Sequence, residues 1–390
     1  MNRKRIKMKR YVENQLLRCL LLLGGLMTIC LSIFAVTQVI YAEEVETKTV
    51  VDMRGKEVEI PQEPERVVVI DKGFVLQTMV ALNLKDKIVG TGGLINVSKV
   101  EERDSILLLN NIYDLPNVGY PTDAVDFENL TSVEPDLIIW RNSEYIFESE
   151  ISIKAIKTIE EELKIPIVVV NGPGCYEEVE LEKYYEGINL IAEVFNKQER
   201  GNEIVTYLQD QINFIQEKTK DIPDEDKPSV MFMGLLADKE VGVVWGEDTG
   251  DAKFSREYAN IKNVYSEKTR MKMSAEQLIK LNPEVIVLCT NSVRPYPEIF
   301  KEEQYSNLQA INAIKNERVV SLGELTWWGD FRLEFPTILL ISAKAAYPEH
   351  FKDVNVNEWL DKHHKLLFNL SDSELEEIKR VQGLEWLENY

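Results

Sequence analysis

Cationic and aromatic side chains gather in the segments that follow the predicted strands of this 390-residue chain. An arginine fork binds carboxylate, phosphate or catecholate oxygens at two points, and flat rings stack on macrocycles or chelate rings. These residue types suit the capture of a large anionic chelate. Alternatively, each arginine is solvated and each tryptophan packs a lobe edge. We predict nine ligand-binding residues: Lys72, Tyr120, Trp140, Arg141, Trp245, Arg294, Trp327, Trp328 and Arg332.

Sequence signatures of common catalytic sites do not occur in the chain. It has no GxSxG elbow, no GxxxxGK[ST] phosphate loop, no GxGxxG and no HExxH. The three histidines, His350, His363 and His364, lie in the C-terminal tail, away from the predicted strand ends. Adjacent helical residues point about 100° apart and make a poor pair of metal ligands. We therefore predict no catalytic residue, no metal site and no cofactor.

The first 42 residues indicate export. Basic residues are concentrated before position 11, and no charged side chain occurs between Arg18 and Glu43. Ala42 ends a passable cleavage site, yet the uncharged stretch is also long enough to span a bilayer, so a cleaved signal and a retained anchor both remain open. Neither Cys19 nor Cys30 follows the small residue that lipoprotein processing requires. We expect the chain in the periplasm or on the outer face of the plasma membrane.

Charge excludes one class of partner. Residues 1–42 carry a net charge of +6, which leaves −27 for the remainder of a chain whose total is −21. Nucleic acid is therefore not expected as a partner, because phosphate binding requires clustered positive charge. Beyond the export segment only Cys175 and Cys289 remain, one in each half, and either two free thiols or one disulfide fits this count.

One phrase of the sequence is written twice. FENLTSVEPDLIIW (127–140) aligns without a gap on AEQLIKLNPEVIVL (275–288), which places Glu128 on Glu276 and Pro135 on Pro283. Each copy predicts a short helix, a proline that ends it, and an apolar strand buried on both faces. We predict two similar α/β lobes, although such phrases also recur by chance in doubly wound proteins. A carboxylate in the first helical turn is favoured by the helix dipole, which is a sufficient structural reason for both glutamates.

The other elements complete this plan. The pattern around Arg54 predicts a hairpin, and residues 67–90 predict a βαβ unit with a parallel sheet, in which ligands lie at the carboxyl ends of the strands. An unbroken helical pattern covers residues 199–221. The predicted domains are 1–42, signal peptide or anchor; 43–198, N-terminal α/β lobe; 199–221, inter-lobe helix; and 222–390, C-terminal α/β lobe with a helical tail.

An ordered set of phrases resembles the solute-binding proteins of ABC importers for ferric siderophores, haem and cobalamin. The resemblance runs through nearly all of residues 49–352. The phrases are TVVDMRGKEVEIPQEPERVVVID, ALNLKDKIVG, PNVGYPTDAVDFENLTSVEPDLIIW, MSAEQLIKLNPEVIVL, NERVVSL and LLISAKAAYPEHF. The resemblance implies two Rossmann-like α/β lobes joined by a long rigid helix, with the ligand cleft between the lobes, as in class III periplasmic binding proteins.

The resemblance also implies a function and partners. The implied function is to bind an iron complex and deliver it to a permease. The implied partners are this small-molecule metal chelate and an ABC permease with its ATPase. The protein itself is expected to be a monomer that catalyses no reaction. The resemblance implies that Trp328 and Arg332 lie in a ligand-facing loop and that Glu128 and Glu276 dock on the permease. Three alternatives remain: the same fold binding cobalamin, haem, molybdate or tungstate; a membrane-tethered sensor; and a chelatase-type enzyme.

Overall fold

A computed structural model describes most of the chain beyond the export segment. The described residues are 46–71, 73–93, 106, 110–120, 124–142, 150–172, 181–236, 242–290, 295–325 and 332–390, with only the backbone given for Tyr120, Ala124 and Asn389. Five sequence predictions lie outside these ranges. They are the 1–42 segment, Lys72, Arg294, Trp327 and Trp328.

The first half contains both strands and helices. Its strands, within the described ranges, are β1 (Thr47–Val51), β2 (Glu57–Pro61), β3 (Val67–Ile70), β4 (Ile88–Gly92), β5 (Gly119–Tyr120), β6 (Ala124–Val125), β7 (Leu137–Asn142) and β8 (Ile167–Asn171). Its helices are α1 (Phe74–Ala81), α2 (Phe127–Ser132), α3 (Glu150–Lys157) and α4 (Leu181–Val194). The predicted hairpin and βαβ unit are both confirmed.

The long helix α5 (Gln198–Thr219) leads into the second half. The strands there are β9 (Ser229–Leu235), β10 (Gly242–Val244), β11 (Lys262–Asn263), β12 (Met271–Met273), β13 (Val285–Leu288) and β14 (Val319–Ser321). The helices are α6 (Gly250–Ala259), α7 (Ala275–Leu281), α8 (Asn312–Lys315), α9 (Phe335–Ala346), α10 (Val356–Phe368) and α11 (Asp372–Gln382). The long predicted helix thus begins one residue earlier and ends two residues earlier than the sequence pattern suggests.

Each half contains its own sheet. In the first, the strand order is β4-β3-β7-β8 and every pairing is parallel. In the second, β11, β13 and β14 repeat this parallel arrangement around β9, while β10 and β12 extend it with antiparallel pairings. Two similar α/β lobes are therefore confirmed.

The repeated phrase has the same structure in both lobes. Glu134 and Asn282, which precede the two prolines, both have positive φ, of 44° and 45°. The acid after each proline then accepts a hydrogen bond from the start of the neighbouring central strand: Asp136 Oδ2 from Glu65 N (2.8 Å) and Glu284 Oε2 from Ser229 N (2.8 Å). These acids help to set the register of β7 against β3 in the first sheet and of β13 against β9 in the second.

One apolar cluster joins the lobes. It contains Val67 and Phe74 from the first lobe, Ile204 from α5, and Phe232 and Phe335 from the second, all buried. Helix α5 packs on α4 of the first half and on α6 and α9 of the second, so it contacts both lobes. Residues 48–390 accordingly form one compact unit. The residue boundaries of the predicted domains stay a prediction.

None of the helices in the described part of the chain is long and apolar enough to span a bilayer.

Candidate ligand-binding site

The parallel register of the first sheet brings two charged residues together at its carboxyl edge. Because Ile70 in β3 lies opposite Trp140 in β7, the next residues, Asp71 and Arg141, are neighbours. Arg141 Nη1 lies 3.5 Å from Asp71 Oδ1, and both side chains are buried. This distance is long for a charge-assisted hydrogen bond, and the carboxylate of Asp71 also has other partners.

Those other partners are backbone amides at the start of α1. Asp71 Oδ2 accepts from Gly73 N and Val75 N, both at 2.8 Å. A carboxylate at this position satisfies amides that have no partner within the helix and interacts favourably with the helix dipole. Asp71 therefore fixes the turn that separates β3 from α1.

Arg141 is enclosed on two sides. Its guanidinium carbon lies 5.0 Å from the centroid of the Phe74 ring, a cation–π contact. On another side, a Cβ added to Gly172 would lie 3.4 Å from Arg141 Nε. Glycine at position 172 thus lets the backbone approach the guanidinium closely, and the guanidinium has little freedom to reorient.

A second arginine reaches the same turn from the other lobe. Arg332, which precedes α9, packs on Gly73, where an added Cβ would lie 2.8 Å from Arg332 Nε. Arg332 Nη1 donates to the backbone oxygen of Glu324 at 3.1 Å, and the side chain is 4% exposed. The turn of residues 71–74 is therefore contacted by one arginine from each lobe.

This arrangement is suited to binding by preformed polar contacts. Both guanidinium groups have fixed positions, so little side-chain entropy is lost when a ligand binds them. The buried carboxylate of Asp71 offsets the charge of Arg141. An anion with several oxygens would supply the acceptors that an arginine fork prefers.

Two of the aromatic residues that were predicted to bind the ligand are packed in the interior instead. Side chains alternate between the faces of a strand, so Arg141 points toward α1 while Trp140 points to the opposite face of the sheet, among Ile70, Ile138 and Val169. Trp245 is 1% exposed, and the guanidinium carbon of Arg270 lies 4.8 Å from its ring centroid. The structure buries both indoles, which gives them a packing role in place of the predicted contact with a ligand.

The two predicted docking glutamates occupy equivalent surface positions. Glu128 and Glu276 are each the second residue of a short helix, α2 or α7, and both are exposed. Asp126 and Ser274 cap these helices, and their side chains accept hydrogen bonds from Asn129 N and Gln277 N. The glutamates thus project from corresponding places on the two lobes.

A buried polar network lies directly behind Arg332. Glu334, fully buried, accepts from Gln77 Nε2 at 3.0 Å with one oxygen and from Gln382 Nε2 at 2.7 Å with the other. His364 Nε2 lies 2.7 Å from the second oxygen. The prediction that all three histidines lie away from the strand-end segments is therefore wrong for His364, because the tail helices α10 and α11 pack under the segment that contains Arg332.

The network perturbs two titrating groups. Burial raises the pKa of Glu334, but the hydrogen bond and charge of His364, with hydrogen bonds from Gln77 and Gln382, outweigh burial and lower this pKa to about 2. Burial, followed by the charge of His364, lowers the pKa of His363 to about 3, against the opposing charge of Glu334. Glu334 is therefore ionised and His363 neutral at pH 7.

Other chemistry in the described residues is limited. Cys289 is a buried free thiol whose pKa is raised well above its usual value, first by burial and then by Asp251. Within the described ranges, no group of three or more histidine, cysteine, aspartate or glutamate side chains is arranged to bind a metal ion.

Two α/β lobes with a shared core and a turn contacted from both sides define a two-lobed binding-protein fold. The family model described as periplasmic binding protein matches residues 68–325, more than half of the chain. The chain belongs to the periplasmic binding protein family.

Relatives and solved structures agree with this assignment. The chain is 28% identical over 316 residues to the uncharacterized ABC transporter substrate-binding lipoprotein YvrC of Bacillus subtilis, covering 80% of this chain and 88% of YvrC. It is 26% identical over 351 residues to the molybdate-binding protein MolA of Haemophilus influenzae, covering 83% and 92%. A periplasmic solute binding protein from Veillonella parvula superposes with a TM-score of 0.70 at 21% identity, covering 88% of this chain and 99% of that one. The predicted fold is confirmed.

The residues that surround Glu334 could not be identified from the sequence. Gln77 lies in an apolar helix and is itself fully buried. Gln382 and His364 lie in the C-terminal tail, whose sequence pattern predicts amphipathic helices at the surface. The one available signal is Glu334, an acid between Leu333 and Phe335 just before Pro336. A charged residue among apolar neighbours at a helix start implies a buried partner.

Acid should destabilise the protein through His363. Its pKa in the folded chain lies below the ordinary 6.5, so the unfolded chain binds more protons, and the stability contributed by the neutral ring is complete above pH 6.5 and is lost toward pH 3. Between pH 6.5 and 5 the expected loss is about 2 kcal/mol. Glu334 adds a further loss between pH 4.5 and about 2.

Urea denaturation at several pH values between 5 and 7 checks this prediction. His363→Phe should flatten the dependence of the unfolding free energy on pH, whatever its effect at pH 7. His350→Phe, at an exposed histidine, is the matched control and should retain the slope. An unchanged slope in His363→Phe would contradict the assignment.

Proposed function

We propose that the chain is the extracytoplasmic solute-binding component of an ABC importer and that it binds an anionic iron chelate for delivery to the permease. The observation that carries the ligand class is the convergence of Arg141 and Arg332, from opposite lobes, on the turn of residues 71–74. The names of YvrC and MolA support transport rather than catalysis. The basic export segment supports a location outside the cytoplasm.

Capture would proceed by electrostatics and stacking. Arginine forks donate hydrogen bonds to the charged oxygens of a chelate, and Trp327 and Trp328, predicted from the sequence to lie in the same loop as Arg332, supply stacking surfaces. The shared apolar core supports a preformed cleft, because separating the lobes would expose buried side chains to water. No bond is made or broken in the ligand.

A second candidate ligand is a molybdate or tungstate oxyanion. The observation that favours it is the similarity to MolA, described as molybdate-binding, over 351 residues. Two buried arginines also suit a small tetrahedral oxyanion. The two candidates differ in size, so they differ in the need for aromatic stacking.

Titration of intrinsic tryptophan fluorescence against ferric catecholate, ferric hydroxamate, haem, cobalamin, molybdate and tungstate tests the ligand class. One ferric chelate should bind saturably. Arg141→Ala and Arg332→Ala should each weaken binding about 10- to 100-fold, because each loses charge-assisted hydrogen bonds worth about 1.5–3 kcal/mol. Arg332→Lys should fall between, because it retains charge but loses the fork.

Controls separate binding from folding. Arg380→Ala removes an exposed arginine paired with Glu377 and should leave affinity unchanged. Trp328→Ala should weaken a chelate far more than an oxyanion. Binding of molybdate alone would favour the second candidate, and binding of none of the six would overturn the proposed ligand class.

Docking on the permease is proposed for Glu128 and Glu276. Their equivalent, exposed positions on the two lobes would present one carboxylate to each half of a two-fold partner. Glu128→Lys with Glu276→Lys should abolish uptake of the bound solute by cells while affinity for it is unchanged. Glu57→Lys with Glu303→Lys makes the same change in net charge at other exposed positions and should retain uptake. Normal uptake by the first pair would contradict docking through these residues.

A further inference from the structure

One residue of the C-terminal tail contacts both ends of the segment that leads to Arg332. The segment begins at Gly323, where φ is +51° and an added Cβ would clash with the backbone oxygen of Gln382. It ends at Glu334, whose Oε1 accepts from the side chain of Gln382 at 2.7 Å. Gln382 is the last residue of α11 and is 1% exposed.

The Arg332 end of the segment is also fixed to the first lobe. Gln77 in α1 donates to Glu334 Oε2 at 3.0 Å and accepts from Leu333 N at 3.0 Å. His364 in α10 completes the contacts of the carboxylate at 2.7 Å. Three helices, α1, α10 and α11, therefore position the two residues that follow Arg332.

Because the carboxylate of Glu334 is buried, its position depends on each group that contacts it: Gln77, Gln382 and His364. A charged group out of contact with water needs its hydrogen bonds, and removal of one donor leaves an unsatisfied acceptor in a medium of low dielectric constant. Arg332 has little room to adjust, because Nε already lies within 2.8 Å of the position that a Cβ at Gly73 would occupy. A small displacement of Glu334 must therefore move the guanidinium relative to the turn of residues 71–74.

We propose that Gln382, Glu334 and Gln77 are positioning residues for ligand capture and that the C-terminal tail is part of the support of the binding site. The tail fixes Arg332 against the first lobe from a distance, without contact with the solute. This inference rests on the proposed role of Arg332 in binding. The positioning itself can be measured without a ligand.

Gln382→Met is the main test, made on the chain from residue 43 onward, which includes the whole compact unit from Lys48. Methionine retains the length and burial of the side chain but cannot donate to Glu334. Amide exchange of Leu333, which donates to Gln77, should accelerate about tenfold, and affinity for the wild-type ligand among a ferric tricatecholate complex and molybdate should fall about tenfold. Thermal unfolding, measured in parallel, reports whether the variant is folded.

Ser371→Ala is the matched tail control. It removes the cap of α11, where Ser371 Oγ accepts from Glu374 N, and leaves Gln382 intact. If the tail acts through the network, this variant loses stability but retains wild-type exchange at Leu333 and wild-type affinity. Equal effects in both variants would mean that the tail acts through stability alone, which would overturn the proposal.

Rescue provides a second test. Glu334→Gln places an amide N–H group next to side chains that already donate to position 334. It should therefore accelerate exchange at Leu333 and weaken affinity, as Gln382→Met does. Adding Gln77→Glu lets a carboxylate at position 77 accept from Leu333 N and from the new amide, so the paired exchange restores complementarity. Recovery of slow exchange at Leu333 and of affinity supports the proposal, and failure to recover either contradicts it. If neither probe binds the wild-type chain, affinity is measured with the compound of the six-member panel that does bind. If none of the six binds, the proposed ligand class is wrong, whereas exchange at Leu333 still decides whether the tail fixes the segment.

Discussion

The structure depends most on the apolar core that the two lobes share. Each sheet buries one face against helices that also touch the other lobe, and α9 is enclosed almost along its whole length. Opening the lobes would expose this surface to water, at a cost of roughly 25 cal/mol for each Å². The relative position of the sheets is therefore fixed before any solute arrives, and the arginines at their carboxyl edges are fixed with it. A binding protein built in this way selects its solute by fit and charge rather than by large closure.

Polar residues use this fixed frame in two ways. At the sheet edge, Asp71 orders the start of α1 and places Arg141 beside Phe74. Behind the edge, the buried Glu334 draws donors from the first lobe and from the tail around one carboxylate. The first group lies at the proposed ligand site, and the second is centred on Glu334, two residues beyond Arg332 in the sequence. Charge in a dry interior is costly unless every oxygen has a donor, so the donors around Glu334 help to specify how the tail packs.

The fold could be predicted from the sequence because local patterns and the repeat agree. Pro135 and Pro283 end equivalent helices, and the apolar runs after them are strands in equivalent positions of two sheets. Side-chain direction was harder to predict. Trp140 and Arg141 are adjacent in the sequence, yet Arg141 faces α1 while Trp140 packs with Ile70 and Val169 on the opposite face of the sheet. The sequence alone does not show which of the two faces which side. The network around Glu334 joins residues 257 positions apart, a pairing for which a single sequence carries no signal.

The most direct measurement is native mass spectrometry of the chain isolated with its bound solute from the cell envelope of its source, together with metal analysis of the same sample. We predict one small anionic molecule for each chain, lost when Arg332 is replaced by alanine, and one equivalent of iron in the sample. A neutral or cationic solute, or a bare divalent metal ion without an organic chelator, would contradict it.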